Sequence, residues 1–231
     1  REDYVPQELP SGSGLAELSY DQFRAIEFKR DAAIFKDQGR NFILGLLHPG
    51  FIYTTPVQIN IVSDGVARRV PYSTDVFNYG LDTAPAREEP SAGYSGFRAG
   101  TPINRPGLFD EFLVFQGASY FRAVGRGDRY GLSGRGLAIG TARPEGEEFP
   151  VFTEFWIERP PLNASSLVVH ALLDSRSVTG AYTFVLQPGD PTVMDVDAVL
   201  FPRRDIEAYG IGPLTSMFLY DATNRSRFDD F

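Results

Sequence analysis

The chain has 231 residues, 42% hydrophobic, 13% aromatic and 23% charged, with 22 Lys and Arg against 30 Asp and Glu for a net charge of −8. That length supplies one large domain or two small ones with enough material for a real core, which excludes a disordered chain, and the acidic balance excludes a broad nucleic-acid footprint or attraction to an anionic membrane. Cysteine is absent and the two histidines, His48 and His170, are far apart in sequence, which excludes disulfides, thiolate chemistry and a histidine-rich zinc site, so no metal or cofactor is expected.

The lack of cysteine fits a cytoplasmic protein and equally an exported one. Apolar runs such as Phe42 to Leu47 fall far short of the ~20 residues that span a bilayer. Arg1 opens no signal-like stretch, so an export signal, if there was one, is expected to have been removed.

Residues 1–18, with Pro6, Pro10 and Ser11-Gly-Ser-Gly14, predict an irregular arm. Ser19 fits a helix N-cap with Gln22 three residues on, and Phe23 and Ile26 give the following turns an apolar face; a second helical turn is expected from Asp31. Beyond Asn41 the texture becomes short aromatic and β-branched runs: 41–47, 52–53, 57–62, 67–72, 112–116, 118–124, 137–141, 151–158, 166–173, 181–187 and 192–200. Turn signals such as His48-Pro-Gly50, Ser63-Asp-Gly65 and Pro188-Gly-Asp-Pro191 separate them. No helical period persists after Phe35, so residues 19–231 are predicted to form an antiparallel all-β sandwich. The Pro-, Gly- and charge-rich stretch from Leu81 to Gly107 is expected to be a long loop.

The most informative strand is Val151-Phe-Thr-Glu-Phe-Trp-Ile-Glu158. A period of two places Phe152, Glu154, Trp156 and Glu158 on one face and Val151, Thr153, Phe155 and Ile157 on the other, the latter a core face by composition. The only Trp of the chain, between two carboxylates, suits a sugar ring, whose C–H face stacks while its hydroxyls donate; the alternative is a Trp that covers the core edge beside two solvated carboxylates. Glu154 and Glu158 are not expected to be a glycosidase pair, because four residues of strand separate them by roughly 13 Å against ~5–9.5 Å in such pairs.

Tyr120 and Arg122 are co-facial on the strand before it, where they can grip hydroxyls; the alternative is an ion pair between Arg122 and a neighbour such as Glu154. The stretch Gly125 to Gly136 matches no phosphate-loop fingerprint and is not followed by a helix, so it is expected to be a hairpin connection with glycines in turn conformations. Arg135 within it is retained as a possible cleft cation. His170 is expected to be a half-buried structural residue, and Asp195 and Asp197 a solvated patch. Asn163-Ala-Ser165 and Asn224-Arg-Ser226 match the glycosylation pattern, which recurs by chance.

A train of motifs then points further: Phe115-Gln-Gly-Ala-Ser-Tyr-Phe-Arg-Ala-Val-Gly125, Tyr130-Gly-Leu-Ser-Gly-Arg-Gly-Leu-Ala138, Gly146-Glu-Glu-Phe-Pro150, Glu154-Phe-Trp-Ile-Glu-Arg-Pro160, Ala171-Leu-Leu-Asp-Ser175, Thr179-Gly-Ala-Tyr182 and Pro213-Leu-Thr-Ser-Met-Phe218. With Leu18-Ser-Tyr-Asp-Gln-Phe-Arg24 and His48-Pro-Gly-Phe51 upstream, they make nearly the whole chain resemble the bacterial osmoregulated periplasmic glucan biosynthesis proteins G and D. The resemblance implies a periplasmic protein with a large sandwich of galactose-mutarotase type carrying a cleft, followed by a smaller immunoglobulin-like domain. It implies β-1,2-linked glucan as the partner polysaccharide, other glucan-synthesis proteins at the inner membrane as further partners, and for the D type inverting endo-glucanase chemistry.

The acid and base carboxylates of that chemistry lie, in the family, downstream of the segment matching Pro213 to Phe218. Asp221, Asp229 and Asp230 do not match them, so no catalytic residue is assigned here and the domain is expected to be incomplete. Tyr120, Arg122, Arg135, Glu154, Trp156 and Glu158 are expected to line the sugar cleft. The alternatives are a non-catalytic glucan-binding or scaffold protein of the same pathway, and a mutarotase-type epimerase, which would need a His and Glu pair that His170 serves poorly.

Overall fold

In the structure, a computed structural model, residues 4–10, 12–87, 91 and 93–215 are described. The segment from Ser216 onward, with Asp221, the Asn224 triplet, Asp229 and Asp230, lies outside them. Among the described residues no helix is long and apolar enough to cross a membrane.

The fold is all-β, as the sequence predicts. After helix α1 (Tyr20–Arg24) come strands β1 (Glu27–Phe28), β2 (Ile43–Leu47), β3 (Gln58–Ser63), β4 (Val66–Arg69), β5 (Phe77–Asn78), β6 (Gly96–Arg105), β7 (Leu108–Gln116) and β8 (Tyr120–Ala123). Then follow β9 (Gly134–Arg135), β10 (Leu137–Ile139), β11 (Val151–Glu158), β12 (Leu167–Asp174), β13 (Val178–Gln187), β14 (Val193–Pro202) and β15 (Tyr209–Ile211). Two sheets carry the architecture, a six-stranded one ordered β14-β13-β12-β11-β3-β4 and a five-stranded one ordered β2-β6-β7-β8-β9. Pairing is antiparallel except for β3 against β11, which run parallel.

The sheets meet through an aromatic core. Leu46, Phe97, Phe115 and Phe121 occupy one inward row of the five-stranded sheet. Phe152, Phe155, Tyr182 and Phe184 face them, with Phe115 and Phe184 rings 5.0 Å apart and Phe97 and Phe155 5.2 Å apart. Residues of the N-terminal arm join this core: Leu9 and Leu15 are buried, and the Leu9 amide donates to the Thr54 carbonyl.

The predicted start of α1 is realised as a full capping box, the Ser19 hydroxyl accepting from the Gln22 amide while the Gln22 side chain accepts from the Ser19 amide. Ser19→Ala is expected to cost about 1 kcal/mol, read from urea unfolding. The turn expected at Asp31 is a 3₁₀ turn over Arg30–Ala32.

Two sequence expectations are corrected. The stretch 81–107 is not a loop throughout, because it contains β6, a ten-residue strand central to its sheet. Its Phe97, Ala99, Thr101 and Ile103 are buried in alternation, but Gly96, Gly100 and Pro102 between them mask the pattern. Gly96 is required by space, since a Cβ there would lie 2.0 Å from the Phe115 carbonyl oxygen. Second, a bulge between Phe152 and Glu154 breaks the strict alternation of β11. Phe152 therefore turns into the core with Phe155 and Ile157, while Val151 and Thr153 are only half-buried.

Candidate functional site

The six candidate residues divide between the two sheets. Tyr120, Arg122 and Arg135 belong to β8 and β9 of the five-stranded sheet, whereas Glu154, Trp156 and Glu158 belong to β11 of the six-stranded one. Since Phe121 packs inward on Phe115 and Phe184 and Phe155 inward on Phe97, alternation turns Arg122 and Trp156 to opposite outer faces of the sandwich.

On the outer face of the six-stranded sheet, Trp156 is half-buried, between Asn60 of β3 and His170 of β12 in register. Both flanking carboxylates are engaged. Glu154 accepts from the Asn60 amide at 2.7 Å. Glu158 lies 2.9 Å from His170 Nε2, while Nδ1 of the same ring is 3.0 Å from the Thr183 hydroxyl. His170 is thus a half-buried, hydrogen-bonded residue. Asp195 and Asp197 are exposed on β14.

On the opposite face a trough runs along β7 and β8. Its cavity of about 580 Å³ is lined by Tyr53, Glu111, Val114, Gln116, Tyr120, Arg122, Tyr130 and Ser133, among others. Arg122 donates through Nε to Ser133 at 2.6 Å and pairs with no carboxylate among the described residues; the alternative pairing with Glu154 does not form. The two terminal nitrogens of Arg122 have no hydrogen-bond partner among the described residues. The Tyr130 hydroxyl is buried, and burial, with the Glu111 carboxylate that accepts from it, pushes its pKa up.

Arg135 is 4% exposed, between the rings of Tyr120 and Phe149 at 5.3 and 4.8 Å. It pairs with Glu147 through Nη1, and its Nε and Nη2 have no partner among the described residues. It therefore supports Tyr120 from behind rather than presenting a free cation at the surface. The glycine-rich stretch does connect two strands of a hairpin, β8 and β9, but its glycines serve space as well as turns. Only Gly127 has positive φ, whereas a Cβ on Gly134 would meet the Phe121 ring at 2.8 Å and one on Gly136 the Phe152 ring at 2.7 Å.

An aromatic ridge bounds the trough. Tyr53 packs on Phe23 (5.5 Å between centroids), which packs on Phe51, and Tyr20 meets Phe51 edge-on. Phe51 holds a positive φ of 56°, a strained conformation of the kind that gathers at binding sites. The Phe51 amide donates to the Leu15 carbonyl, fixing the ridge to the N-terminal arm. Sequence reasoning missed Glu111, Gln116, Tyr130 and this ridge; the polar pair Asp110-Glu111 interrupting an aromatic run is the one local signal for the first of them.

Behind the ridge lies His48, 4% exposed. Its Nδ1 donates to the Pro49 carbonyl at 2.5 Å, so Nε2, with one lone pair, accepts from the Tyr79 hydroxyl at 2.9 Å, and the Tyr72 hydroxyl, 3.1 Å from the same nitrogen, donates to Tyr79. Burial pushes its pKa down to about 4, which keeps the ring neutral at physiological pH.

Residues 1–231 match the family described as periplasmic glucan biosynthesis protein, MdoG. Similar curated proteins include "Glucans biosynthesis protein G" of Shewanella baltica, 49% identical over 228 residues, which are 99% of this chain and 42% of the relative. That of Shewanella frigidimarina is 48% identical over 228 residues, 99% of this chain and 41% of the relative, and "Glucans biosynthesis protein G 1" of Shewanella oneidensis is 48% identical over the same span, 42% of the relative. The chain thus spans about two fifths of the length of these relatives. With a match over its whole length and an all-β fold, the chain belongs to the periplasmic glucan biosynthesis protein family.

Proposed function

We propose that this chain binds a β-1,2-linked glucan backbone in the periplasm, in the trough formed by Tyr120, Arg122, Gln116, Tyr130 and the Tyr53 ridge. The observation that carries the reading is a concave, aromatic-edged trough holding the Arg122 terminal nitrogens, which have no hydrogen-bond partner among the described residues. Sugar rings stack on the aromatic faces through their C–H bonds and offer hydroxyl acceptors to those donors. The Trp156 face remains a candidate second surface, but it is the weaker one: Glu154 and Glu158 already hold Asn60 and His170, and Trp156 lines neither the trough nor the two cavities beside it.

The role assigned to these residues is positioning rather than bond cleavage. Glycoside hydrolysis by inversion needs two carboxylates about 6.5–9.5 Å apart across the sugar. Among the described residues the single carboxylate of the trough, Glu111, is paired with Arg98 at 3.3 Å. Whether the intact protein hydrolyses or only presents glucan is decided by incubating it with linear β-1,2-glucan: shortened products mark a hydrolase, and binding with no product marks a scaffold for other synthesis proteins.

The binding site is tested by calorimetric titration of the full-length protein with the same glucan. Arg122→Gln and Tyr120→Ala are each expected to weaken binding by about tenfold or more, since each removes about 1.4 kcal/mol or more of contact. Unchanged affinity in both variants rejects the trough, and no affinity in the unaltered protein rejects the polysaccharide class.

A further inference from the structure

Beside the trough, and sharing the wall residue Gln116 with it, a second cavity of about 380 Å³ opens between α1, the 3₁₀ turn and the five-stranded sheet. Three guanidinium groups line it, Arg24 from the last turn of α1, Arg30 from the 3₁₀ turn and Arg98 from β6, against one carboxylate, Glu27. In a chain of net charge −8 such an excess runs against the average. The neighbouring spaces do not share it. The trough holds one Arg and one Glu, and the larger cavity on the far side sets Arg30, Lys36, Arg40 and Arg98 against Asp37, Asp110 and Glu111.

Two of the three cations of this second cavity are also uncommitted. Among the described residues the side chains of Arg24 and Arg30 have no ion-pair or hydrogen-bond partner, and Arg98 is held by Glu111 through Nη1 alone, at 3.3 Å. By contrast, Lys36 and Arg40 of the larger cavity are bound to Asp31 and to the Pro160 carbonyl. The backbone makes room for the arrangement. Gly45 lies opposite Arg98 in the register, and a Cβ on it would stand 3.0 Å from Arg98 Nε, so the absence of a side chain at residue 45 leaves Arg98 room to lie across β2. His48 in the wall is neutral and its ring nitrogens are spent on Pro49 and Tyr79. An incoming anion would thus be held by guanidinium forks, which match the oxygen geometry of phosphate and carboxylate.

We propose that this cavity is an oxyanion-binding site, which takes a phosphate or carboxylate group carried on a saccharide whose rings extend into the trough. The oxyanion part stands on Arg24, Arg30 and Arg98 alone; its attribution to a saccharide rests on the glucan reading of the trough and on the shared wall residue Gln116.

The test is calorimetric titration of the full-length protein with glucose 6-phosphate, inorganic phosphate and unmodified linear β-1,2-glucan, in the native sequence and in the double variant Arg24→Gln/Arg30→Gln, whose exposed side chains leave the core intact. The expected result is binding of glucose 6-phosphate that weakens about tenfold or more in the double variant and several-fold with rising salt, with affinity for the neutral glucan unchanged. Binding of glucose 6-phosphate that is absent, or equal in both proteins, overturns the oxyanion site. Arg-dependent binding of inorganic phosphate as tight as that of the sugar phosphate supports the oxyanion site and overturns its attribution to a saccharide. Loss of neutral-glucan binding alone would count against the trough and leave the Arg-dependent anion binding in place.

Discussion

Phe115→Ala is expected to destabilise the protein by about 3–5 kcal/mol. Phe115 is 1% exposed and joins the two sheets: its ring lies 5.3 Å from Phe97 and 5.6 Å from Phe121 within its own sheet, and 5.4 Å from Phe155 and 5.0 Å from Phe184 in the other. Truncation removes the buried ring and leaves a cavity that rigid aromatic neighbours cannot fill. Phe115→Leu, which keeps most of the volume, is expected to cost less than half as much. Urea unfolding of the full-length protein reads both; a loss below about 1 kcal/mol for the alanine variant would show that the sheets are not joined through this ring.

The second large effect is an acid-side loss of stability from His48. In the folded protein its pKa lies at about 4 against an ordinary value of 6.5, because burial disfavours the imidazolium while the bond to Pro49 offsets this in part. Between these values the unfolded chain binds a proton that the folded one does not, so stability rises with pH across this window. The contribution is complete above pH 6.5 and is lost progressively as pH falls toward 4, about 3 kcal/mol in all. His48→Gln removes this proton and is expected to flatten the decline in urea midpoint between neutral pH and pH 4.5, whatever its effect at neutral pH. Parallel declines in the two proteins would contradict the assignment.

Much of the fold was legible because its signals are local. The strand Val151–Glu158 has the boundaries its alternation predicts, and the Ser19 and Gln22 pair closes as a capping box. The misreadings have physical causes too. Gly96, Gly100 and Pro102 hid β6, since a strand whose neighbour's backbone passes within reach of its Cα positions must place glycine where strand-forming side chains would give it away. The bulge after Phe152 cannot be seen in a period-of-two count, because it is defined by register against β12.

The candidate site was legible residue by residue but not as an assembly. Tyr120 and Arg122 share a face as alternation requires, and Trp156 points outward from its sheet, yet which sheet each strand joins is settled by distant pairing. The parallel contact of β3 with β11 commits Trp156 to one side of the sandwich, and the β7–β8 hairpin commits Arg122 to the other. Likewise Arg24, Arg30 and Arg98 lie in three unremarkable stretches of sequence, and only the fold gathers them around one cavity.

The central claim is that the face built on β7 and β8 receives the glucan. It is tested most directly by the structure of the full-length protein with a linear β-1,2-linked oligosaccharide bound. Sugar rings are expected along the trough, stacked near Tyr53 and Tyr120, with hydroxyls accepting from Arg122. A chain bound instead across Trp156 and Glu158 on the opposite face, with the trough unoccupied, would contradict it.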